Sequence, residues 1–477
     1  MGHDEPSVLF YSNKAGAGNN MTYQLTLPKD PPTPPQQDGR GSTWGFQLHP
    51  AFWFGVAMCD SQSYPEWTND CPAASDANIF ASGNPHSPGF VGHHPSTAFM
   101  ELQFYPPGWA PWPAGVSCDP TKWCGALTID SLTESPTTLN NKDCLQRAGE
   151  EYVNFAFLTL NGKPHGAPSP LQADANTFTP NHATDLFMNS GDKLTVKLTD
   201  TSSGLRTVVQ DATTGQKGWM TSSAGNGFAQ VNYRPTAKTC SEKPYDFHPM
   251  YSTSTPRTYV PWAAHTYNVA FSDEIGHFEH CNAVHPKPIG DCTSPGRGDG
   301  KVDADDSPCF DKSNSLLVKI TGCIGIDQDF DGTPYRRTWP GTSGNPARDR
   351  AEHPTSELFS SPVFNGGTNY GRVAFETDLP AIEFATNPAC NVLTGAGCVN
   401  PPKGAVFYPF FSTVRVGKRC MRGEGGPFLP NAINTFGGSA KTEYGTLFSS
   451  VFATSFTTSA RGFFNFQRVL SSNPCKA

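Results

Sequence analysis

The residues best suited to chemistry in this sequence are acids set among aromatic rings. In "AFMELQFYPPGWAPW", Glu101 lies within an alternating run, and Tyr105, Trp109 and Trp112 follow it. Such a carboxylate suits work on a glycan. Aromatic faces stack on sugar rings. A second carboxylate shares the acid and the nucleophile or base roles, at about 5–5.5 Å for retention or about 6.5–9.5 Å for inversion. The competing reading puts Glu101 on the solvent face of an amphipathic strand.

The partner is sought first in "WAAHTYNVAFSDEIGHFEHC", Trp262 to Cys281. Alternation places His265, Tyr267, Val269 and Phe271 on one strand face, ending at Asp273 and Glu274. His277, Glu279 and His280 are expected in a turn before Cys281. Strand ends are rigid and accessible, so they suit catalytic groups. Glu274 or Glu279 could pair with Glu101, with Trp262 as a further stacking platform and His265 and His277 as substrate contacts. His265, His277 and His280 could instead gather a metal, although four ligands at matching spacing are not evident. A solvated strand end remains the plain alternative. Glu376, in "VAFETDLPAIEF", is a second-choice carboxylate.

Calcium has its own spacing. "DQDFDG" brings Asp327, Asp329 and Asp331 to alternate positions before a glycine, as in the first half of a calcium loop. Thr338 stands where the bidentate twelfth-position Glu would be, so a complete EF-hand is excluded. Asp303 and Asp305 in "GDGKVDADD" form another acidic turn. A structural Ca2+ at these acids competes with two solvated turns. His86, His93 and His94 fall in a Gly/Pro loop, where exposure is the simpler reading. No GxSxG elbow, HExxH helix or phosphate-binding glycine motif occurs, which weighs against esterase, zincin, ATP and dinucleotide chemistry.

The elements that would carry these groups are strands. Charged residues make up 16% of the 477, against about 25% in ordinary globular chains, while Gly (46) and Pro (44) abound. Aromatic and β-branched runs between Gly/Pro breaks indicate an all-β, loop-rich chain. "GDKLTVKLTDTSSGLRTVVQDATTGQKGWM" reads as an antiparallel meander, with Leu194, Val196 and Leu198 inward and Lys193, Thr195 and Lys197 outward. "YVNFAFLTLNG" alternates and stops at an Asn-Gly turn. Further strands are expected at Thr266–Phe271, Leu316–Thr321, Arg372–Glu376 and Val406–Ser412, with irregular loops at Asn282–Lys312 and Arg336–Ser356. The expected architecture is two packed β-sandwich or jelly-roll units, stabilised by disulfides. A segment 1–40 with a Pro-rich loop precedes a first sandwich, 41–238, and a second, 239–477, with the long loops.

Fourteen cysteines, none in CxxC, favour disulfides in an oxidising compartment over zinc or redox motifs. Cys59–Cys71, Cys390–Cys398 and Cys420–Cys475 are plausible bridges. MGHDEPSVLF has no apolar signal core, so the signal peptide is expected to have been removed, with Met1 to about His3 as vector residues. The net charge is −8, with no basic block and no apolar run long enough to span a bilayer; neither nucleic acid nor a membrane span is expected.

"FQLHPAFWFGVAMCD", "AFMELQFYPPGW", "YDFHPMYST", "AAHTYNVAFSDEIGHFEHC" and the final "SNPC" resemble segments of a family of large secreted, disulfide-rich bacterial proteins. The resemblance implies secretion and a shared fold, and carries no activity across. On the β architecture and the aromatic-flanked acids, the expectation is a secreted glycoside hydrolase acting on an extracellular polysaccharide. A calcium-dependent, lectin-like glycan or surface binder is the first alternative. A His-ligated metal-dependent hydrolase or oxidase is the second.

Overall fold

A computed structural model describes residues 7–12, 14, 17, 20–29, 31–32, 43–45, 55–60, 98–105, 107, 119–132, 141–148, 151–232, 234–248, 279–284, 292–295, 338, 342–353, 355, 357–379, 411–424, 432–436, 448–454, 460–470 and 472–475. These residues form an all-β fold of antiparallel sheets. The largest sheet is built on the expected meander. Lys193–Thr201, Gly204–Asp211 and Lys217–Thr221 pair in sequence. The first hairpin depends on Gly204. Its φ is +102°, and a Cβ there would meet the Ser222 carbonyl oxygen at 2.2 Å. Asp211 shapes the second turn by accepting from the Thr213 and Thr214 N–H groups at 2.7 and 3.2 Å.

The meander continues into distant parts of the chain. Asn20–Thr26 pairs with Lys193–Thr201 on one side and with Glu357–Ser360 on the other. Arg419–Glu424, Phe411–Val416 and Ala432–Phe436 extend the same sheet. Its strands thus come from both sides of residue 238. Alternation fixes the register: Met21, Tyr23, Leu25, Leu194, Val196 and Leu198 are buried, while Lys193 and Lys197 are exposed.

A five-stranded sheet carries the candidate acid. Gly55–Asp60, Ala98–Tyr105, Trp123–Leu132 and Glu151–Phe157 run antiparallel, and Phe187–Met188 joins the start of the third. Met100, Leu102, Phe104, Leu127, Ile129 and Ala156 belong to the same buried cluster as the inward residues of the large sheet. The two sheets therefore share one core in a sandwich-like arrangement. Smaller sheets join Ser7–Tyr11 to Arg372–Leu379, and Thr43–Gly45 to Glu279–Val284.

Three expectations are corrected. The 282–312 loop opens within the strand Glu279–Val284 and holds another strand, Cys292–Pro295, paired with it. Glu279 and His280 lie in a strand, not a turn; His280 pairs with Trp44. The 336–356 loop contains a helix, Pro346–Glu352. Asn345 caps it by accepting from the Ala347 and Arg348 N–H groups, and Pro346 occupies its first turn. Arg348 and Glu352 form an i,i+4 pair on it.

Among the described residues, Cys144 bonds Cys240 and Cys420 bonds Cys475, the latter as expected; Cys124 is also disulfide-bonded. No described helix is long and apolar enough to cross a membrane.

Candidate active site

Glu101 lies in the second strand of the five-stranded sheet, opposite Ala57 on one side and Thr128 on the other. The alternation holds: Met100, Leu102 and Phe104 face the core, and Glu101, Gln103 and Tyr105 share the opposite face. That face is not open to solvent. Glu101 is 5% exposed, Tyr105 6% and Gln103 7%. A carboxylate this deep requires hydrogen-bond donors. The Gln103 side-chain amide donates to Glu101 Oε2 at 2.7 Å, and the Thr128 hydroxyl donates to the same oxygen at 3.4 Å. The Tyr105 hydroxyl donates to Gln103 Oε1, which orients the amide toward the acid.

Aromatic rings fix this chain laterally. Tyr105 stacks on Phe155, with centroids 6.2 Å apart. Phe155 meets Phe157 edge-on and Phe178 at a tilt, both at 5.0 Å. Phe155 also pairs with Thr128, so a row of the sheet runs Ala57, Glu101, Thr128, Phe155. Asp130 lies in the next row, opposite Phe99, and so occupies a diagonal register position to Glu101. It is an acid that the sequence search overlooked. The signal was present in "CGALTIDSL", where Thr128 and Asp130 have the same parity.

A second overlooked group is His165. Its Nδ1 is 2.9 Å from Asp185 Oδ1, and its Nε2 lies 2.8 and 3.0 Å from the carbonyls of Asn176 and Thr179. The Asp185 hydrogen bond is the main force raising the imidazole pKa; burial opposes it and the carbonyls assist it. The ring is parallel to Phe157, 5.6 Å away. Phe157 and Phe155 thus link this ion pair to Tyr105. No local motif marks His165, because its partners lie 11 to 20 residues away.

The other expected acids sit elsewhere. Glu279 pairs with Gly45 in the three-stranded sheet, and Glu376 pairs with Ser7 and Gln467 in the four-stranded one. Glu274, Trp109, Trp112, Trp262, His265 and His277 lie outside the described residues, as do Asp303, Asp305, Asp327, Asp329 and Asp331. Among the described residues, no group of three or more His, Cys, Asp or Glu could hold a metal. No protein-family model, no curated protein and no solved structure matches the chain.

Proposed function

We propose that the protein is a secreted carbohydrate-active enzyme, a glycoside hydrolase, and that Glu101 is one of its two working carboxylates. The observation that carries this reading is the Tyr105–Gln103–Glu101 chain: a nearly buried acid whose Oε2 accepts from the Gln103 amide and the Thr128 hydroxyl. On this reading Glu101 takes a proton from the attacking water, and a second carboxylate protonates the leaving oxygen. The disulfides support an oxidising, extracellular compartment.

Hydrolysis of a panel of neutral and acidic polysaccharides tests this. Glu101→Gln keeps the shape and lowers turnover by about 10²–10⁴-fold, with thermal stability near wild type. Unchanged turnover in that variant removes Glu101 from the mechanism. The depth of Glu101 favours a second reading, in which the chain is a structural rivet in a non-catalytic glycan binder. In that case Glu101→Gln lowers stability, and the wild type releases no reducing ends.

A further inference from the structure

The outward face of the large sheet carries a charge pattern that the chain as a whole does not share. Lys193 and Lys197 project from one strand, Arg206 from the next and Lys217 from the last, and all four are exposed. Among the described outward positions of these strands and of Asn20–Thr26, there is no acid. Two buried acids lie off this face: Asp211 at the inward end of its strand, and Asp192 just before the first strand. Asp200, at the inward parity, binds His248 at 2.8 Å. No ion pair among the described residues engages Lys193, Lys197, Arg206 or Lys217. In a chain of net charge −8, four unneutralised cations on one flat face form a local field of opposite sign.

Trp219 organises the patch. Lys217 Nζ is 5.0 Å from its ring centroid and Arg206 Cζ is 5.7 Å away. Lys217 precedes it by two residues, and Arg206 lies opposite Thr221, two residues beyond. The ring therefore supports a cation on either side along the strand. Its own position is fixed. The backbone of Trp219 bonds Thr159 in both directions, and Gly162 gives the indole its space: a Cβ there would lie 1.9 Å from Nε1. Lys197 stands in the same cross-strand row, with Val208 between, about 10 Å away at two strand spacings. Across the same face, Arg419 donates to Gln24 Oε1.

We infer that this face binds an acidic polysaccharide, one carrying carboxylate or sulfate groups. The spacing favours that polymer. Neighbouring cations are single charges about 8–14 Å apart on the sheet lattice, sparser than duplex DNA, which presents a charge every ~1.7 Å of its axis. Outward Thr22, Thr195, Thr199 and Gln24 add hydroxyl and amide groups between them. The choice of a glycan rests on the function proposed above; the charge pattern does not.

The test uses the full chain and affinity electrophoresis in gels containing polygalacturonate, dextran sulfate or neutral dextran. Duplex DNA and anionic phospholipid vesicles are assayed alongside. Wild type is expected to be retarded by the two acidic glycans and not by dextran, with retardation falling as salt rises. Arg206→Gln/Lys217→Gln and Lys193→Gln/Lys197→Gln should each weaken binding by about tenfold. Lys142→Gln/Lys238→Gln, which removes exposed charges elsewhere, should not. The inference is overturned if neither acidic glycan retards the protein, if the three double variants behave alike, or if DNA or vesicles bind more tightly through the same residues. Hydrolysis by wild type and Glu101→Gln, measured on the same samples, keeps failure of this surface distinct from failure of the enzyme reading.

Discussion

His165 is a histidine whose surroundings specify its charge. Both ring nitrogens face acceptors, a carboxylate on one side and two carbonyls on the other, so the doubly protonated ring satisfies all of them. Its pKa is raised in the folded protein, chiefly by Asp185. The stabilisation is therefore complete below the unfolded value of about 6.5 and is lost as pH rises through the higher folded value. His165→Gln should lower the melting temperature at pH 5.5 and close most of that gap by pH 9. A gap of constant size across that range would assign His165 a packing role alone. Glu101 differs in kind. Its Oε2 accepts from neutral donors, Gln103 and Thr128, and a local motif could expose it because Gln103 and Tyr105 lie on its own strand.

That contrast explains what the sequence could reveal at the scale of elements. Period-two runs were legible: the 193–221 meander, the 98–105 strand and their inward residues follow from alternation alone. Partnerships between distant strands were not. Nothing in "NMTYQLT" says that it will lie between residues 193–201 and 357–360. The cationic face was hidden for the same reason: its charges are scattered through three strands, so no basic block occurs in the chain. The helix at Pro346–Glu352 is hard to read because its seven residues lie between the breakers Gly344 and Pro354, although Asn345-Pro346 is a start signal.

A prediction at this scale concerns the turns that border the meander. Asp211 is buried and accepts three bonds from Thr213 and Thr214. Asp192 is also buried. Burial first, and the nearby Asp211 as well, raise its pKa against the donors of Asn189. A raised carboxyl stabilises fully below the unfolded value of about 3.9 and loses that contribution as pH climbs through the folded value. Asp192→Asn keeps an acceptor oxygen and removes the charge. It should raise the melting temperature at pH 7 and leave it unchanged or lower at pH 4. Circular dichroism melts across that range decide it; a lower melting temperature at pH 7 would contradict the assignment.

At the scale of the whole molecule, the two chain ends are tied to one buried cation. Arg422 is 1% exposed, and burial lowers its pKa to about 9. Its guanidinium lies over Phe10 near the N-terminus, 5.6 Å from the ring centroid. Its Nη2 donates to Asn473 Oδ1 near the C-terminus, at 2.8 Å. Asn473 is itself held, because its N–H donates to the Gly371 carbonyl and its side-chain oxygen accepts from the Cys475 N–H. The Cys420–Cys475 bridge, spanning 55 residues, brings that segment back to the strand that contains Arg422. Loop-closure entropy alone makes such a bridge worth about 4 kcal/mol, and losing a buried bond to a charged group costs about 1.5–3 kcal/mol. The two contributions are not independent, since an untethered terminus no longer presents Asn473 to Arg422. Asn473→Ala and Cys420→Ser/Cys475→Ser should each lower the urea midpoint, and the combined variant should lose less than the sum by roughly 1–2 kcal/mol. Strict additivity would mean that the bridge and the buried arginine stabilise separate parts of the fold.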